Sequence, residues 1–132
     1  MGNVVEALER YTYRDYKKWD ESFRCELIYG EVYMMSAPDI WHQRMVLSLG
    51  SQLREFLVNK PCEPFISPFD VRLFPQQDES DDVVVQPDVL VICDKQKLSD
   101  GKACSGAPDF VIEVISHTTK AADMFVKNKI IQ

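Results

Sequence analysis

The sequence predicts a mixed α/β fold, a central sheet flanked by helices, on three observations. Val46, Leu49, Leu53 and Phe56 recur at helical spacing and form one stripe. Three β-branched runs, at 83–85, 89–92 and 110–115, are apolar without alternation, the mark of strands covered on both faces. The order helix, strands, helix suits an α/β or α+β sandwich.

Taken in order, Thr12-Tyr-Arg-Asp15 has the form of a capping box opening a short helix through Trp19. Two apolar-rich runs, 23–28 and 31–35, flank Tyr29-Gly30 and read as a β-hairpin. Pro38-Asp39 breaks the chain before the amphipathic helix, placed at about 41–58 by its stripe and ended by Asn59-Lys60-Pro61. Phe69, Val71 and Leu73 alternate with Asp70 and Arg72, which predicts a half-exposed strand within 65–74. Gln86-Pro87-Asp88 interrupts the valine-rich run, and Ser116-His-Thr-Thr119 caps a last helical segment over 120–131. The whole chain, 1–132, reads as a single domain, with the helix and hairpin of about 11–35 as an N-terminal extension.

Composition bounds the function. The chain has 132 residues, is 45% apolar and 27% charged, and contains no apolar run long enough for a membrane helix. Four scattered cysteines without a Cys-x-x-Cys read as reduced thiols of a cytoplasmic protein, not as zinc ligands or a disulfide frame. The formal charge is −6, with Asp78, Glu79, Asp81 and Asp82 gathered in what reads as a solvated loop. Composition therefore does not predict long-range steering toward DNA. No glycine-rich phosphate loop and no His-x-x-x-His occurs.

The informative feature is acids inside apolar runs. Asp88 lies among valines, and Glu113 has Val111, Ile112, Val114 and Ile115 around it. A buried carboxylate must be paired, protonated or bound to a cation. Two that converge from neighbouring strands make a hard oxygen site suited to Mg²⁺. The plainer reading has Glu113 pairing with a lysine and Asp88 capping a turn. Asp109 would share the face of Glu113 on a period of two, or stay at the strand mouth in a Pro-Asp turn. Asp123 and Lys127 are helical neighbours, either a surface ion pair or a lysine aimed at the carboxylates. His42 is a cap, a packed side chain or a metal ligand; Glu26 and Glu31, on the hairpin, would ordinarily face solvent.

The set Glu26-Leu-Ile-Tyr-Gly-Glu31, Ser36-Ala-Pro with His42-Gln43, Gln86-Pro-Asp88, Ala107-Pro-Asp109-Phe-Val-Ile-Glu113 and Asp123-x-x-x-Lys127 resembles the Uma2 family over residues 11–131. That family belongs to the PD-(D/E)XK nuclease-like superfamily. The resemblance implies a restriction-endonuclease-like core in which Asp88 and Glu113 hold Mg²⁺ (or Mn²⁺) and Lys127 assists at the phosphate. Ile115 stands where the superfamily usually has lysine, and Lys127 takes its place from the following helix. Glu31, His42, Asp109 and Asp123 are accessory positions. The expected activity is Mg²⁺-dependent hydrolysis of DNA phosphodiester bonds by a cytoplasmic homodimer. The alternative is an inactive nuclease-like domain serving oligomerisation or partner binding, toward which the acidic charge and a C-terminus short of the family's pattern both point. A carbohydrate-cleaving acid–base pair ranks last.

Overall fold

The computed structural model describes residues 9–115; the segment expected to be helical over 120–131, with Asp123 and Lys127, and its cap at 116–119 lie outside them. Helix α1 is one turn, Tyr13–Tyr16, opened as its capping box predicts: the Thr12 amide donates to Asp15 Oδ2 at 2.9 Å. Turns, not helix, carry the chain on to Trp19. The hairpin forms as β1 (Cys25–Ile28) and β2 (Glu31–Met34), antiparallel with Ile28 opposite Glu31. Its two turn residues, Tyr29 and Gly30, have φ of 48° and 82°, the left-handed pair a two-residue hairpin turn requires. A Cβ on Gly30 would also come within 2.9 Å of Arg10 Cβ.

Helix α2 (Ile40–Phe56) starts at Asp39, whose Oδ1 accepts the His42 amide at 2.7 Å. Val46 is buried and Leu49 and Leu53 half-buried as the stripe predicts, but Phe56 is 67% exposed. The helix packs on strands β3 (Glu63–Ile66) and β6 (Val89–Ile92). Four residues of strand reach only about 13 Å, whereas this helix is about 25 Å long, so its last turn overhangs. There the Phe56 ring lies under Lys60 Nζ, 3.6 Å away.

The single strand expected within 65–74 is instead two strands in two sheets. The chain leaves β3 at Ser67-Pro68 and re-enters as β4 (Val71–Arg72). The valine run divides likewise, into β5 (Val84–Val85) and β6, with Gln86-Pro87-Asp88 as the crossing. With β7 (Cys104–Ser105) and β8 (Phe110–Ile112), the sheets are a mixed five-stranded one, β2-β1-β5-β4-β7, and an antiparallel three-stranded one, β3-β6-β8. The fold is mixed α/β.

The main core lies between the sheets. Ile28, Val71, Val85 and Cys104 from the first meet Leu90 and Ile92 from the second, with Phe65 and Val111 packed against them. On the outer face of the first sheet Leu27 and Val84 pack under Tyr13, with Tyr11, Tyr16 and Val32 alongside. The second sheet is covered by α2. Strands β5 and β6 are thus buried on both faces, which accounts for their unbroken apolar sequence. Strand β8 is different: among the described residues it is an edge strand with Phe110 52% exposed, so the expectation of burial on both faces does not hold there.

Three polar expectations are corrected. Arg72, expected on a half-exposed strand, is buried over the Tyr13 ring, and Asp81, expected in a solvated loop, is buried with it. Arg72 Nε and Nη2 donate to the two Asp81 oxygens at 2.9 and 2.6 Å, a two-pronged pair that permits burial of both charges. Cys62 and Cys93, expected as free thiols, are disulfide-bonded. The β3–β6 register pairs Glu63 with Ile92, so one step further the two cysteines face each other despite 31 residues of separation. Cys25 and Cys104 are free and buried.

Candidate active site

The crossing from β5 to β6 builds the site. Asp88 immediately precedes β6 and is only 8% exposed. Strand β6 is the middle of its sheet, and both neighbours bring residues to Asp88. On one side the Ser67 amide donates to the Asp88 carbonyl at 3.0 Å. On the other, β8 pairs Val89 with Ile112, and one further step puts Asp88 level with Glu113. Residues directly opposed in an antiparallel pair project to the same face; the pairing itself ends at Ile112, and beyond it the Val114 amide reaches the Asp88 carboxylate.

The Asp88 carboxylate is held from two directions. Its Oδ2 accepts the Val114 amide at 2.7 Å, and its Oδ1 lies 3.1 Å from His42 Nε2. His42 therefore caps nothing with its side chain; the first turn of α2 carries it to the carboxylate. Its Nδ1 is buried with no hydrogen-bond partner among the described residues. No lysine or arginine of the described residues forms an ion pair with Asp88.

Beneath the crossing lies a polar floor that sequence reasoning missed. Glu26, expected to face solvent, is buried and accepts the Gln86 amide through Oε2 at 2.7 Å. The Gln86 side-chain Nε2 donates to Asp70 Oδ1 at 2.8 Å and to Tyr16 Oη at 3.1 Å. Tyr16 in turn donates its hydroxyl proton to Asp70 at 2.7 Å. Burial, then the Asp70 charge, then that hydrogen bond push the Tyr16 phenol well above its ordinary range. Burial also raises the Cys25 thiol, with the Asp70 and Glu26 charges adding to it. Both shifts are led by burial, with nearby negative charge adding to it. Gln86, polar within a run of valines as Asp88 is, carries the one sequence signal that could have exposed the floor. Tyr16 and Asp70 carry none.

Of the remaining predicted positions, Asp109 is exposed at the far end of β8, where its Oδ2 accepts the Cys93 amide at 2.7 Å. It stays at the strand mouth, four residues or about 13 Å of strand from Glu113. Glu31, at the start of β2, accepts the Tyr33 hydroxyl at 3.1 Å. Asp123 and Lys127 fall outside the described residues.

With this geometry in place, the chain can be set beside what it is similar to. The sequence profile of Uma2, described as "Putative restriction endonuclease", matches residues 13–130. The chain belongs to the Uma2 family. A solved structure from Anabaena variabilis ATCC 29413, titled a putative nuclease belonging to DUF820, superposes with a TM-score of 0.68 at 18% identity. That likeness covers 89% of this Uma2 chain and 65% of the Anabaena chain, so the present chain spans just under two thirds of its relative's length. At that identity the likeness shows a shared fold. No curated protein matches.

Among the described residues no group of three or more His, Cys, Asp and Glu side chains is placed to hold a metal ion. The donor set at Asp88 and Glu113 nonetheless fits a hard divalent ion. Mg²⁺ binds through one or two carboxylates and keeps several waters, and Asp88 here is a buried carboxylate that pairs with no lysine or arginine of the described residues.

Proposed function

We propose that this chain is a divalent-metal-dependent phosphodiesterase acting on DNA, with the whole chain as one nuclease-like domain. The observation that carries the reading is Asp88, a buried acid that lies, with Glu113, one step beyond the Val89–Ile112 pair, and with which no lysine or arginine of the described residues forms an ion pair. Asp88 and Glu113 would hold Mg²⁺ or Mn²⁺, and the ion, when bound, supplies electrostatic stabilisation of the phosphoryl oxygens and a more acidic water.

The chain's own residues do the positioning. The Val114 amide fixes one Asp88 oxygen and leaves the other toward His42, so the carboxylate does not rotate freely. Glu26 holds the Gln86 backbone, and the Tyr16–Asp70–Gln86 bonds hold its side chain, so the crossing that presents Asp88 is braced from below. Lys127 is the proposed cation at the phosphate, and His42, Glu31, Asp109 and Asp123 are proposed accessory groups. Of these, His42 is the one in contact with Asp88 among the described residues.

With a net charge of −6 the affinity for DNA is expected to be modest and salt-sensitive. Among the described residues no helix is long and apolar enough to cross a membrane. A cytoplasmic location remains part of the proposal, although the Cys62–Cys93 bond removes the free-thiol argument for it. Calorimetry with Mg²⁺, run beside cleavage of plasmid DNA, tests the reading. Wild type should bind the ion and nick the plasmid, and Asp88→Asn should do neither. Indistinguishable isotherms for the two proteins would remove the mechanism.

One observation favours a second reading, a domain kept for association. Ile40, Trp41 and Leu47 on α2 are each more than half exposed. A homodimer joined through that helix would cover them. Light scattering after gel filtration would show the dimer, with no nicking under Mg²⁺ or Mn²⁺.

A further inference from the structure

Among the described residues only two arginines are not exposed, Arg24 and Arg72. Arg72 is satisfied by Asp81 on two prongs. Arg24 is not. Its Nη2 donates to Ser67 Oγ at 3.4 Å, the far limit of a hydrogen bond, and its Nε is buried with no acceptor among the described residues. No carboxylate of the described residues forms an ion pair with it. A guanidinium is charged at any working pH, and burying one without an anion is costly.

Its position supplies the missing anion. Ser67, which Arg24 touches through its hydroxyl, donates its amide to the Asp88 carbonyl. Strand β1 leads directly from Arg24 into Glu26, which holds the Gln86 backbone two residues before Asp88. The guanidinium therefore sits beside the Asp88 crossing, with an Nε that has no acceptor among the described residues. Its planar fork matches two oxygens of a phosphate better than any other side chain does.

We infer that Arg24 is a phosphate-contacting residue of the Asp88 site, taking non-bridging oxygens of the nucleic-acid backbone. This rests on the phosphodiesterase reading and adds to it a substrate contact drawn from the hairpin. Asp88 and Glu113 would then act on the phosphate through the cation they hold, and Arg24 would contact its oxygens directly. The contact is to backbone and carries no base preference.

The test is the salt dependence of DNA binding, measured on the full chain in EDTA by anisotropy of a short fluorescein-labelled duplex. Each phosphate contact contributes about −0.9 to the slope of log K against log salt. Arg24→Gln should weaken binding to unrelated sequences alike and make the slope shallower by about that amount, while Arg24→Lys should keep the slope. Arg24→Met, which retains the apolar stem, gives the same reading if Arg24→Gln melts early. Equal slopes for wild type and both neutral variants overturn the contact even where Mg²⁺-dependent cleavage is intact. An Arg24-dependent slope without any hydrolysis upholds the contact and removes the hydrolytic reading instead. Absence of duplex binding by wild type overturns the contact, and plasmid nicking with Mg²⁺ then decides the hydrolytic reading separately.

Discussion

The molecule has two corners that each bring an arginine and an aspartate out of solvent, and it finishes only one of them. At the Tyr13 corner Arg72 and Asp81 are joined on two prongs, the Gln76 carbonyl takes a further Arg72 proton, and an aromatic ring covers the cation. At the Ser67 corner Arg24 and Asp88 are close in the fold but make no ion pair. The first corner is complete within the chain and can do nothing except hold the loop at 76–82 onto the sheet. Among the described residues, the second retains an unspent Arg24 donor and a carboxylate without a lysine or arginine partner. Buried charge of equal type thus serves stability in one place and recognition in the other, and what separates them is whether the partner is internal.

The contrast breaks most visibly at Asp81. Asp81→Ala strands Arg72 in the interior and should cost about 3–5 kcal/mol in urea unfolding. A cost under about 1 kcal/mol would show that water reaches the corner. Tyr16→Phe, under the second corner, removes one hydroxyl that serves both Asp70 and Gln86, and should cost about 1–2 kcal/mol by the same assay.

Alkaline pH sharpens the comparison. Tyr16 lies above its ordinary 10.0, and burial pushes the Cys104 thiol from 9.0 up to about 11. Both groups hold their protons more tightly folded than unfolded. Their contribution is therefore complete below pH 9, shrinks as pH passes 9 to 11 for Cys104, and continues to shrink above 10 for Tyr16. Melting temperatures across that range should fall in wild type. The fall should be shallower above pH 10 in Tyr16→Phe, and an unchanged profile would sink the assignment. The smallest effect on stability belongs to Asp88→Asn, under about 1 kcal/mol, because the amide oxygen can still accept the Val114 N–H. If that variant loses as much as Asp81→Ala, the second corner is structural after all.

How much of this was legible in the sequence depends on how local each cause is. The hairpin, the Thr12–Asp15 box and α2 were readable because turn chemistry, capping and helical spacing act within a few residues. Asp88 and Glu113 stood out because an acid in a β-branched run is costly wherever the strand goes. The division of 65–74 between two sheets was not readable, since alternation of Phe69, Val71 and Leu73 continues smoothly past Ser67-Pro68. Nor could spacing reveal that Cys62 meets Cys93, that Arg72 meets Asp81, or that Arg24 meets Ser67, because those pairs are made by register and layer stacking. Phe56 misled for a related reason: the stripe states which way a helix faces, not how far the sheet beneath it extends.

The two acids of the proposed site do not stand on equal footing. Asp88 heads a strand hydrogen-bonded on both sides, whereas Glu113 follows β8, which among the described residues is bonded on one side only. Any breathing of the sheet margin changes the gap between Glu113 and Asp88, and among the described residues the Val114 amide bond to the Asp88 carboxylate is what ties the two together. A molecule that adheres to that margin could tighten or loosen the gap without ever touching Asp88.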